Sequence, residues 1–212
     1  MLSTLYRVAG VGLRNVLLLG VVAFLVLAGC GGSSHKTSTA STASTANAST
    51  SSIASHVLTS NELKGFTATH PSVENSARGW LASRGTPSSQ IASETKRLTR
   101  QGFVAGASQN LTGPSGDGVS IAEQFKTPSG AQSELANELK MFKAQAAGPK
   151  TFPVAGIPGA LGLAATGASG VNVAFTSGDY YYLLGAFVPA VNASSEATMV
   201  TAAKRLYRRV QG

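Results

Sequence analysis

Cysteine is almost absent from this 212-residue chain, which holds one, Cys30. A single thiol excludes an intrachain disulfide and a thiolate zinc site, so the fold must be held by packing. Histidine is nearly as scarce: His35, His56 and His70 all stand in loop-like sequence. Nucleophilic catalysis needs a nucleophile, a base and an oxyanion site, and no Gly-x-Ser-x-Gly elbow is present. Carboxylates number nine against 17 Lys and Arg, leaving a formal charge of +8, which favours anionic neighbours. Long apolar runs are also missing, apart from Val16 to Leu27.

That run, "VLLLGVVAFLVL", follows a stretch with Arg7, Arg14 and no acid, and leads into Ala28 and Gly29. A basic start, an apolar core of about 7 to 15 residues and a small-residue cleavage point make a secretory signal peptide. A spanning helix would need about 20 apolar residues, and this run ends at Asn15 on one side and at a glycine-rich polar tract on the other. Leu27-Ala28-Gly29-Cys30 resembles the lipobox of bacterial lipoproteins. The resemblance implies that the Cys30 thiol carries a diacylglyceryl group and becomes the new amino terminus. Two acyl chains are enough for stable anchoring, so the expected location is the extracytoplasmic face of the cell membrane.

From Ser33 to Ser55, 19 of 23 residues are Ser, Thr or Ala, with three consecutive Ser-Thr-Ala copies at 38–46. Such a tract buries too little to offset ordering entropy and is expected to act as a tether. Residues 1–29 are thus expected to be a signal peptide, 30–55 the lipidated cysteine with its tether, and 56–212 one folded domain. The Asn-x-Ser/Thr triplets at Asn47, Asn110 and Asn192 are read as chance matches in a bacterial chain.

Within 56–212, Val73, Ala77, Trp80 and Leu81 have helical spacing, and a second helix is expected after Pro87, stopping at Gly102. "FVAGASQNLT" and "VSIAEQF", separated by "GPSGDG", read as a hairpin, with Phe103, Ala105 and Ala107 on one side. Ser129 and Gln132 suggest a capping box for a helix lined by Ala131, Leu135, Leu139 and Phe142. Three strands follow, at about 160–167, Val171 to Thr176 and Tyr180 to Val188, the last apolar on both faces and therefore central. A final helix presents Met199, Ala203, Leu206 and Val210. The fold class expected is α+β, an antiparallel sheet of about five strands with helices packed on it. A strand pair followed by a helix occurs twice, at 103–144 and 171–210, without residue identity between the two.

Candidate chemistry is sparse. Glu134 and Glu138 share a helix face, expected to be solvated. Glu123 points with Val119, Ile121 and Phe125; it is expected at an exposed strand end, the alternative being a buried acid with a raised pKa. The glycine-rich stretch 156–170 lacks the spacing of a phosphate loop. Tyr180 and Tyr182 are candidate ligand-lining residues. Lys204, Arg205, Arg208 and Arg209 are candidates for contact with an anionic lipid or wall polymer, the alternative being a solvated helix end.

The segments "GF" at 102–103, "FKTPSGAQSELA" at 125–136, "VNVAF" at 171–175 and "AAKRLYRRV" near the end loosely resemble extracytoplasmic sensor-like domains of actinobacterial kinases and small lipoproteins with a PsbP-like fold. The kinase-linked domains usually carry disulfides that this chain cannot form, and no functional residue is transferred from them. The expectation is a lipid-anchored binding or sensor-like module without catalysis, cofactor, metal or nucleic-acid partner, engaging an envelope component or a protein. The alternative is a carrier of a small apolar ligand or lipid near 156–170 and Tyr180 to Tyr182, with an envelope enzyme third.

Overall fold

The computed structural model describes residues 53–114 and 116–211. The expected signal peptide, the expected lipobox with Cys30, and the expected tether up to residue 52 lie outside the described residues. Eight strands form one antiparallel sheet in the order β1-β3-β4-β8-β7-β6-β5, with β2 also pairing to β3. These are β1 Thr67–Ala68, β2 Ser72–Glu74, β3 Phe103–Gly113, β4 Gly116–Phe125, β5 Pro149–Phe152, β6 Leu161–Ala165, β7 Gly170–Ser177 and β8 Tyr180–Phe187. Among the described residues four α-helices accompany the sheet, α1 Ala77–Ser83, α2 Ser88–Gln101, α3 Pro128–Gln145 and α4 Ala193–Gln211, with a 3-10 turn at Thr166–Ala168.

The α+β class is as expected, but the sheet has eight strands rather than about five. The extra three, β1, β2 and β5, are two to four residues long and lie toward the sheet edges. Strands so short show no alternation that a sequence can display. Val73 belongs to β2, so the expected stripe through it breaks; α1 begins after Ser76, whose side chain accepts from the Gly79 N–H at 3.1 Å. Helix α3 is capped by Thr127, with Pro128 in its first turn, instead of by the Ser129–Gln132 box. Pro fits there because the N–H it lacks would have no helical partner. Gly102 ends α2 in the left-handed conformation, φ 83°, as the sequence suggests.

Strand alternation divides the core into two faces. One face carries Ala105, Ala107, Ala122, Val171, Val173, Phe175, Tyr182 and Leu184, covered by Met199, Ala202, Ala203 and Leu206 of α4. The other carries Ile121, Phe125, Ala174, Tyr181 and Leu183, covered by α1, α2 and α3 through Trp80, Leu81, Leu98 and Ala131. A bulge between Phe103 and Ala105 shifts the register there, so Phe103 packs with Trp80 and Phe125 on the face opposite Ala105 and Ala107. Both strand-pair-plus-helix units form, but α3 and α4 cover opposite faces of the sheet.

The segment 53–66 lies on the α4 face. Ile53, counted as tether by composition, is fully buried, with Val57, Leu58 and Leu63 beside it. The packed domain therefore starts no later than Ile53. Leu58 donates its N–H to Ser120 Oγ at 2.9 Å, and Arg209 of α4 reaches over to Glu62 at 2.7 Å and to the Val57 carbonyl at 2.6 Å. Among the described residues no helix is long and apolar enough to cross a membrane.

Candidate functional site

A charged cavity of about 100 Å³ lies where α1, α2 and α3 meet the sheet. Helical spacing builds its walls. From α2 come Gln90, Glu94, Arg97 and Leu98; from α3 come Glu134, Asn137, Glu138 and Met141, each set on one side of its helix. Trp80 and Leu81 stand on α1, Arg84 ends that helix, and Glu123 rises from β4. Gly106 makes room for the roof: a Cβ there would sit 2.5 Å from the Trp80 ring.

Glu123 is the most buried of the carboxylates lining the cavity, at 1% exposure. Its Oε1 accepts from Trp80 Nε1 at 2.7 Å and from Arg84 Nη1 at 3.1 Å, and the Arg84 guanidinium stacks 5.3 Å above the Trp80 ring. Among the described residues its Oε2 is buried with no partner, and the hydroxyl of Tyr181, the residue opposite on β8, is likewise unpartnered. Burial and the neighbouring Glu134 push Glu123 up to about 7, against the opposing pull of Arg84 and the Trp80 N–H. Burial also raises Glu138, which no guanidinium bridges among the described residues, and lifts Tyr181 well above its ordinary value.

Arg97 spends four of its five N–H groups on neighbouring side chains. It bridges Glu134 through both terminal nitrogens, Glu94 through Nε at 2.7 Å and Gln101 through Nη1 at 2.7 Å. Burial opposes its charge, but Glu134 and Glu94 together hold it above its ordinary value. The cavity thus presents four carboxylates against two guanidiniums, each of which already holds a carboxylate.

This site differs from the sequence expectation. Glu134 is buried at 6% exposure, not solvated, because Arg97 of α2 stands across from it. Glu123 is the buried acid, not an exposed strand end. Trp80, Arg84, Arg97, Asn137 and Met141 join the site only in the structure. The i, i+3, i+4, i+7 spacing of Glu134, Asn137, Glu138 and Met141 was the available signal, and its partner Arg97 lies 37 residues away.

Tyr180 and Tyr182 lie on the α4 face, away from this cavity. Tyr182 is fully buried against Phe175, and its hydroxyl is 2.7 Å from His56 Nδ1. Tyr180 stacks on His56 with centroids 4.1 Å apart. Val154 and Ile157, ahead of and within the glycine-rich stretch, are buried in the same core. Of the four basic residues of α4, Arg209 is bound to Glu62, Val57 and Ser55, and Arg205 donates to the Glu62 carbonyl at 3.2 Å. Arg208 makes an intrahelical contact to the Lys204 carbonyl. Two of the four thus fasten the segment 53–66 in place.

Among the described residues no group of three His, Cys, Asp or Glu is arranged to hold a metal ion. No family model matches the chain, and no curated protein matches it significantly. Among solved structures it is similar to the extracellular domain of PknH from Mycobacterium tuberculosis, at 10% identity and a TM-score of 0.48, over 75% of this chain and 96% of that one. The likeness is weak and concerns overall shape.

Proposed function

We propose that this chain is a lipid-anchored extracytoplasmic module that binds a small polar ligand in the cavity between α1, α2, α3 and the sheet, without transforming it. The observation that carries this reading is that Glu123, which lines that cavity, has a buried Oε2 with no partner among the described residues. A polar atom out of water without a partner costs about 1–3 kcal/mol, and a ligand that donates to it recovers that cost. The walls are charged, which suits a polar ligand and disfavours the apolar carrier. The anchor is the Cys30 thioether, and the tract from Ser33 to Ser52 lets the domain stand off the bilayer.

Fractionation and mass measurement test both halves together. Wild-type chain extracted from its own envelope should be membrane-bound, start at a diacylated Cys30 and carry an extra small mass lost on denaturation. Cys30→Ser should leave the membrane or remain uncleaved. A cleaved, still membrane-bound Cys30→Ser protein contradicts the anchor; a bare polypeptide mass from gently extracted wild type counts against a resident ligand.

A further inference from the structure

Resting on that binding reading, we infer the class of the ligand: the cavity takes a small organic cation, a primary ammonium on a short apolar stem, seated on Glu123 Oε2 and the Glu138 carboxylate. Charge and geometry lead to this class. Both guanidiniums already hold carboxylates, Arg84 on Glu123 Oε1 and Arg97 on Glu94 and Glu134. Arg84 keeps N–H groups beyond its bond to Glu123, but the balance of charge favours a cation: among the described residues Glu123 Oε2 is buried without a partner and Glu138 has no bridging cation. An anion entering here would meet four carboxylates lining the walls. An ammonium brings three N–H donors and no acceptor, the complement of two unbridged carboxylates. Leu81, Leu98 and Met141 supply apolar wall for a short stem, and about 100 Å³ has room for several waters or one compact organic group.

Binding is coupled to a proton. Glu123 is faced by Arg84 from α1, Glu94 and Arg97 from α2, Glu134 and Glu138 from α3, and Tyr181 from β8. A cation placed against its Oε2 favours the ionised form, so the carboxylic acid proton leaves to solvent as the ammonium seats, and total charge is conserved. Affinity for a permanently protonated amine therefore rises as pH rises through about 7.

Calorimetry on the full chain in non-ionic detergent, titrated with n-propylammonium chloride, 1-propanol and sodium propionate at acidic and alkaline pH, tests this. The expected result is binding of propylammonium in preference to the other two, with tighter binding and less proton release at alkaline pH than at acidic pH. Glu123→Gln should keep the Trp80 hydrogen bond and lose about tenfold or more in affinity. Met141→Trp, which fills the cavity while leaving both carboxylates, should also abolish binding, and melting curves of both variants report folding. Propanol or propionate binding as well as propylammonium overturns the cation class and leaves the binding site standing. Propylammonium binding unchanged in both folded variants overturns the location, and no binding by any of the three overturns both the class and the site.

Discussion

Glu123 shows how one residue's environment sets its chemistry. Its folded pKa, raised to about 7 by burial and by Glu134, lies above the ordinary carboxylate value, so the native state prefers the acid form. A group raised in this way contributes stability in full below its unfolded pKa, and that contribution is lost as pH rises through the folded one. Glu123→Gln, which cannot ionise, is therefore expected to equal wild type near pH 4.5 and to exceed it by about 1–3 kcal/mol above pH 7. Denaturant unfolding across that range checks it; a variant less stable than wild type at alkaline pH would mean that the Arg84 pairing outweighs the burial. The sequence placed Glu123 on the correct strand face, with Ile121 and Phe125. It could not show burial, because the atoms that bury it come from Trp80 and Arg84, 43 and 39 residues earlier.

Among the elements, those set by local spacing are legible in the sequence and those set by distant partners are not. The α2 stop at Gly102, the β3–β4 hairpin and the buried stripe of α4 all follow from spacing within a few residues. The Phe103 bulge and the role of Arg209 do not, since each depends on a partner distant in sequence. Arg209 joins α4 to the segment 53–66 through the Glu62 carboxylate and two carbonyls. Burial raises Glu62, but Arg209 and the Thr59 groups outweigh it and hold the carboxyl below its ordinary value. His56 is held below 6.5 by burial and by Arg209, with Asp179 opposing. Both depressed groups contribute stability above their unfolded values and lose it as pH falls through the folded ones. Arg209→Gln is expected to cost about 1–3 kcal/mol and to expose the chain near Ser55 to protease, with wild type approaching the same behaviour in acid below about pH 4.5. Limited proteolysis at neutral and acidic pH reads both; a variant as resistant as wild type would return Arg209 to the role of a surface charge.

Across the whole molecule, the sheet separates two tasks. The α4 face takes in the start of the domain and is filled by side chains, with Tyr180 and Tyr182 engaged by His56. The α1–α3 face holds the charged cavity, so the segment 53–66 lies on the side of the sheet opposite the site. Composition and patterning mark an α+β fold and a shortage of chemical groups; they do not show that four of nine carboxylates gather in one cavity, because they come from three separate elements. The account rests on Glu123 being a buried acid that a cation can reach. Carbon-13 NMR of glutamate-labelled chain, with the Glu123 signal assigned by Glu123→Gln and titrated with and without propylammonium, tests this most directly. A Glu123 midpoint near 7 that moves down when the ammonium is added is the predicted result. A midpoint in the ordinary carboxylate range, unmoved by the ammonium, would contradict it.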